Sequence, residues 1–511
     1  MTLLIRNVHI LGGARQFPEL SDVFVQNEKI SAIGSFPSKK ADEMIDGQGM
    51  YLAPGFIDVN TDSDHYLTLF DNPLQEDFLK QGVTTILGGM CGSSLAPLLY
   101  GGLESVRKWG DIRCINVGWH SMGEFLNILE GKGGLGVNFG TLVGHSTIRR
   151  ALIGEGTRNL TKNEMGVFIA ALRRGLREGG FGLSTGLGYV HGRGTSYAEL
   201  KTLAGIVREQ NGVYATHLRN AKEGLLDSIT ETLKLSKETG VKTLINHLLP
   251  FRGSEETYAE ALKKLEKVPA PRMLYFDVYP FDTSVVPLYT LLPRWAQEEN
   301  LETMNSNLNN PWKRKRILKE LPEYRADGLI VAASPGNTAL MGKSMEELQE
   351  LYNSSSPQEA LLALMRATEL RAVVFVKDIA GGLIEQALMH PRALIASNAA
   401  SVRGGGNATM LKPERAMRTF PKFLELVRER KLLSLEEAVQ KLTKIPAALF
   451  GLTKRGVIGE GNYADLVGFT FREGVSTPVE IRFVAVNGAA AIKNGAFQQG
   501  VRRGKMLRHT S

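Results

Sequence analysis

Two histidines, His217 and His247, each close a short β-type run, "GVYATH" and "VKTLINH", 30 residues apart. Such runs alternate with helical patterns through the middle of the chain, so the two positions are equivalent in consecutive strand–helix units. In a parallel-strand barrel both side chains project from the same rim, where barrel enzymes keep their sites. Imidazole is the commonest metal ligand near neutral pH; the alternative for each is a hydrogen-bonded strand-end histidine. Cys91 sits in "GGMCGSSLAPL", where glycines let the backbone turn a thiol inward. Taken alone it reads as an inert buried hydrophobe. Together the three have the composition of a Cys-His-His zinc site with an open fourth position. Because they are far apart in sequence, that reading depends on a fold that gathers them.

The stretch "PGFIDVNTDSDH" (54–65) runs from a turn through an apolar strand into clustered polar groups. Asn60 and Asp62 are two residues apart, so on a strand they face the same side. Asp62 offers a carboxylate as ligand or base, whereas Asn60 would be a weak, neutral ligand. Asp64 and His65 lie just beyond. Local hydrogen bonding at a strand end is the competing reading. Arg219, in "HLRN", suits a substrate carboxylate or a structural salt bridge. Tyr189 and Tyr279 suit donation to a substrate oxygen, or a place in the core. His145 and Arg149 read as structural, or as supports behind the site residues. The loop "RGGGN" (403–407) lacks the Gly-Lys-Ser/Thr of a phosphate cradle and reads as a flexible loop.

The elements that must position these residues fall into two kinds. Residues 3–53 and 455–497 show β-type patterns with close turns, such as the one at Asn27-Glu28. Between them lie eight β-type runs: "FIDVN", "TTILGG", "VNFGTLVGH", "GFGLSTGLGY", "GVYATH", "VKTLINH", "MLYFDVY" and "ALIASN". Helical patterns such as "KNEMGVFIAALRRGLREGG" separate most of them. Simple alternation also fits a doubly wound open sheet; eight runs with polar ends favour a (β/α)8 TIM-type barrel. The fold expected is therefore α/β: a barrel over 55–450, with a small β-sandwich domain built from residues 1–54 and 451–511. The interval from 285 to 392 is too long for one connection and predicts an insertion with its own helices and strands. The closing segment, with Arg502, Arg503, Lys505 and Arg508, reads as a solvated basic tail.

Composition bounds the function. Of 511 residues 43% are hydrophobic, enough for a large core, and no apolar run approaches a membrane span. The net charge of +8 is mild, and no basic run with interleaved aromatics points to nucleic acid. Two cysteines, Cys91 and Cys114, make no disulfide framework and suit a reducing, cytoplasmic setting.

The segments "LIRNVHILGG", "IDGQGMYLAPGFID", "GVTTILGGMCGSSLAPL", "LVGHSTIRR", "GFGLSTGLGY", "GVYATHLRN", "INHL", "DVYPF" and "GVIGEGNYADLV", in this order, resemble the amidohydrolase superfamily, and within it the D-aminoacylase (N-acyl-D-amino-acid deacylase) family. The resemblance implies a metal-dependent barrel hydrolase that cleaves the amide of small N-acyl-D-amino acids. It implies that Cys91, His217 and His247 hold one zinc ion, whose water attacks the carbonyl. It also exposes departures. The family's His-x-His after the first strand is Asn60-Thr61-Asp62 here. Its catalytic Asp after the eighth strand is Asn398, an amide that cannot accept a proton. A lysine often found two residues after the sixth-strand His is Leu249. Asp62 is then the first candidate for the base, with Asp64 and His65 next. The expected function is hydrolysis of a linear amide. The alternatives are a degenerate member that binds a related ligand without turnover, and a cyclic-amide hydrolase.

Overall fold

The structure, a computed structural model, describes all residues except 101, 104, 107–111, 113–114, 270–272, 298–299, 404–409, 476–477 and 511. Cys114 and most of the "RGGGN" loop lie outside the described residues.

Eight parallel strand segments follow one another by hydrogen bonding in chain order. They are Phe56–Asp58, Val83–Gly88, Asn138–Thr141 continuing as Val143–Gly144, Gly182–Gly186, Val213–His217, Lys242–Ile245, Leu274–Val278 and Ala393–Ile395. Each matches one β-type run of the sequence. The succession does not end at an open edge. Asn398 N donates to Asn60 O at 2.9 Å and Asp62 N to Ala399 O at 2.9 Å, so the eighth segment's end pairs with the first's. The strand interiors are wholly buried, for instance Val213–Thr216 and Phe276–Val278, as expected of parallel strands covered on both faces.

Helices between the strands stop where their caps dictate. Lys162–Arg177 opens with a Thr161–Glu164 capping box, and Leu225–Thr239 closes on Gly240 at φ 69°. A Ser434–Glu437 capping box starts Leu435–Leu442 in the same way.

Strands from both ends of the chain share one nine-stranded sheet. Leu466–Phe471 pairs antiparallel with Tyr51–Pro54, and the Ser21–Gln26/Lys29–Gly34 hairpin turns at Asn27, whose φ is 56°. That left-handed conformation is the one a two-residue hairpin requires and asparagine tolerates. Leu3, Ile5, Val23, Val25, Leu466 and Phe483 form a core there, separate from that of the parallel strands.

Between the seventh and eighth parallel strands, Ser284–Pro287, Val373–Val376 and Leu329–Ala333 make an antiparallel sheet. Helices including Pro311–Glu320, Met345–Leu351 and Pro357–Ala367 surround it. This segment has its own apolar core, which also takes in Val190. Among the described residues no helix is long and apolar enough to cross a membrane.

The solvated tail expected at the C-terminus is a correction. Lys505 O accepts from Phe139 N at 2.9 Å, Leu507 N donates to Phe139 O at 2.7 Å, and Arg508 pairs with Glu130 at 2.8 Å. The segment runs along the third parallel strand. Met506 is buried there, so an apolar residue set among the cations pins the segment down.

Candidate active site

Cys91, His217 and His247 sit just beyond or at the ends of the second, fifth and sixth parallel strands. One ligand atom from each lies within 4.8 Å of the other two. His247 Nε2 is 3.4 Å from Cys91 Sγ and 2.9 Å from His217 Nδ1. The backbone at two of these residues is strained to aim them: φ is 52° at Cys91 and 35° at His247, and it is 45° at Asn398, after the eighth strand on the same rim. Non-glycine residues held in this region cluster at functional sites because surrounding structure must enforce it.

What enforces it is visible. Asp277, at the seventh strand, accepts from His247 N at 2.8 Å and from Asn246 Nδ2 at 3.0 Å. Two glycines admit the close approach. A Cβ at Gly188 would stand 2.7 Å from His217 Nε2, and one at Gly186 would stand 2.3 Å from Cys91 O. Tyr189 stacks on the His217 ring, centroids 4.5 Å apart, and burial pushes its hydroxyl pKa well up. Burial pulls His247 down to about 4, which keeps the imidazole neutral and its lone pair available.

The part of the rim at the first and eighth strands is built differently. Asn60 is buried, and its Nδ2 donates to both carboxylate oxygens of Asp277 at 3.2 Å. Its amide is thus committed to a carboxylate below the trio. Asp62 accepts from His65 Nδ1 at 3.0 Å. Burial alone would raise the Asp62 pKa; the bond to His65, then the charges of His65, Arg415 and His247, outweigh it and hold the carboxyl below its ordinary range. Asp64 takes Gly89 N at 2.6 Å, and burial raises it. Asn398 is half-buried at the end of the eighth strand.

Beneath both parts of the rim, Asp58 accepts from Asn60 N at 3.2 Å and Ser397 N at 3.1 Å. Burial pushes Asp58 up to about 8 and Asp277 up to about 6.

Arg219 is a correction. Its guanidinium donates to Glu231 at 3.2 and 3.0 Å, to Arg193 O at 2.7 Å and to Thr195 O at 3.2 Å. The helix Leu225–Thr239 places Glu231 within its reach, so it ties two loops together rather than facing a ligand. His145 and Arg149 meet on Glu199, a buried structural cluster.

Tyr279 is buried one residue past the seventh strand, with the Arg415 guanidinium 4.7 Å over its ring. Arg415 itself went unread in the sequence. It opens the helix Arg415–Arg430, is 4% exposed, and its Nε has no hydrogen-bond partner. The signal for it was weak: one arginine among several in "KPERAMRTFPK", far along the chain from the trio.

Comparison with known proteins agrees with this architecture. The model of the amidohydrolase family matches residues 401–492. A D-aminoacylase of Alcaligenes xylosoxydans xylosoxydans is 28% identical, over 100% of this chain and 98% of its own. An N-acyl-D-aspartate deacylase of the same organism is also 28% identical, over 93% of this chain and 88% of its own. Among solved structures, a D-aminoacylase with a binuclear metal centre superposes with a TM-score of 0.79 at 26% identity, covering 99% of both chains. Along its full length, then, the chain is similar in sequence and in its parallel-strand α/β fold to the D-aminoacylases of the amidohydrolase family.

Proposed function

We propose that this protein is a zinc-dependent hydrolase of a linear amide C–N bond, acting on small N-acyl amino acids. The observation that carries the reading is the convergence of Cys91, His217 and His247 on one point. The donor set fits the ion: one thiolate and two imidazoles suit zinc, with a fourth position open to solvent or substrate. A divalent ion held there supplies Lewis-acid polarisation of the amide carbonyl and an acidified water. The chain's own groups do the rest. Asp62 takes the proton of the attacking water and passes it to the leaving nitrogen, yielding a carboxylate and a free amine. Its lowered pKa keeps it ionised for the first of these transfers.

Arg415 binds the substrate carboxylate. A buried guanidinium with an unbonded Nε calls for an anion, and its charge acts on both Asp62 and His247. Tyr189 and Tyr279 flank the substrate. The D-configuration of the relatives' named substrates supports testing D-isomers first.

We read the eight parallel strands as a closed (β/α)8 barrel over 55–450, with an insertion at about 285–392. Residues 1–54 and 451–511 form the β-sandwich domain. The insertion's core takes in Val190, next to Tyr189, which supports reading this segment as lying beside the mouth. Two cysteines in 511 residues suit a cytoplasmic enzyme.

A second reading has its own observation. Asn60 is bonded to Asp277 and Asn398 replaces an acid, which favours a protein that binds such ligands without turnover. Elemental analysis after purification without added metal, with turnover of a panel of N-acyl-D- and N-acyl-L-amino acids, separates the two. Hydrolysis is supported by about one zinc per chain and release of a free amine. A metal-free protein inert on the whole panel overturns it. Asn398→Asp, which restores a proton acceptor, should raise turnover about tenfold or more.

A further inference from the structure

We infer that His65 is a positioning residue, whose two ring nitrogens hold the Asp62 carboxylate in a fixed orientation against the loop that carries Cys91. This rests on the reading of Asp62 as the proton-moving group.

The geometry is specific. His65 is 1% exposed, three residues after Asp62 on the turn beyond the first parallel strand. Nδ1 lies 3.0 Å from Asp62 Oδ1 and Nε2 lies 3.1 Å from Ser93 O. A carboxylate and a carbonyl oxygen are both acceptors, so both ring nitrogens must carry hydrogen. The ring is therefore an imidazolium. Burial works against that charge, but Asp64 and Asp62 outweigh it and carry the group up to about 9. Nothing about the ring is then left to titration near neutrality; it acts as a doubly donating brace.

The brace adds a second side-chain tie between two loops that Asp64 also joins, through Gly89 N at 2.6 Å. Ser93 is two residues beyond Cys91, and Ser93 Oγ donates in turn to Ser105 O at 3.0 Å. Asp62 Oδ1 is taken up by His65, which leaves Oδ2 as the oxygen for proton transfer. A carboxylate on a short turn would otherwise sample several rotamers, and loss of orientation at a proton-transferring group lowers the chemical step more than binding.

Two variants dissect the two ends of the ring. His65→Asn keeps a donor near the Nδ1 position and loses the reach to Ser93. His65→Gln keeps a donor near the Nε2 position and loses the bond to Asp62. The expected result is that His65→Asn retains kcat within about threefold while His65→Gln lowers kcat about tenfold or more, with KM unchanged in both. A residue that merely braces the Ser93 loop predicts the reverse order, and that order, or equal losses, overturns the inference.

A readout independent of activity accompanies this. Nitrogen-15 histidine spectra should show one ring with both nitrogens protonated at pH 7.5, assigned by its loss in His65→Asn and converted to a neutral ring by Asp62→Asn. A neutral ring in the wild-type protein also overturns the inference. If the wild-type protein hydrolyses none of the panel, the functional reading fails, and the ring signature alone decides the pairing.

Discussion

One side of the rim of the parallel strands gathers a thiol and two imidazoles against one another; the other side presents amides and a carboxylate bonded to neighbours. On the first side, Asp277, Gly186 and Gly188 serve to let Cys91, His217 and His247 approach each other. On the second, Asn60 and Asp62 are tied to Asp277 and His65. The same strand ends thus support two kinds of chemistry. One side brings soft and imidazole donors together; the other is a hydrogen-bonded wall that holds the Asp62 carboxyl below its ordinary pKa range. The two sets share one support, since Asp277 accepts from His247 N and from Asn60 Nδ2.

The sharpest way to break the comparison is to remove a donor from the first side. His247→Ala should reduce zinc from about one per chain to less than about a tenth and lower turnover about a thousandfold, read by elemental analysis and amide hydrolysis. Asp62→Asn addresses the second side alone. It should leave zinc content unchanged while lowering kcat by about 10²–10⁴-fold; an unaltered rate would remove Asp62 from the mechanism. Gly188→Ala tests the support of the first side. Its Cβ meets His217 Nε2 at 2.7 Å, so the ring must shift, and zinc affinity should fall about 10–100-fold in a chelator competition.

The smallest effect lies beneath both sides. Asp58 has a folded pKa raised by burial to about 8, so the fold binds a proton there that the unfolded chain releases above the ordinary carboxylate range. Its stabilising contribution is full below that range and is lost as pH rises through about 8. Asp58→Asn, which stays neutral, should therefore gain on the wild-type protein by about 2 °C in Tm between pH 5 and pH 8. Parallel pH profiles of the two would fail to converge at low pH if the Asp58 proton were not the cause.

These contrasts also show what a sequence exposes. The eight parallel segments were readable because each is a short apolar run closed by polar residues, and His217 and His247 stood out as equivalents in neighbouring units. The insertion's strands "LIVAAS" and "AVVFV" were readable by the same β-type pattern. Arg415 was not, because what sets it apart is its burial beside Tyr279, and nothing local in "PERAMRTFP" announces burial. Arg219 misled for a related reason: its partner Glu231 is 12 residues on, across a loop and a helical turn. The packed C-terminal segment escaped notice because four cations outweighed one methionine in the reading of its composition.

The sheet that joins Tyr51–Pro54 to Leu466–Phe471 has a consequence for biosynthesis. Its first strands leave the ribosome more than 400 residues before the strand that completes them. During that wait Tyr51–Pro54 presents a bare edge open to pairing with other nascent chains. A message truncated just before the codon for Leu466 would yield a product with its eight parallel strands complete and its sheet unfinished, a species destined for chaperones or inclusion bodies.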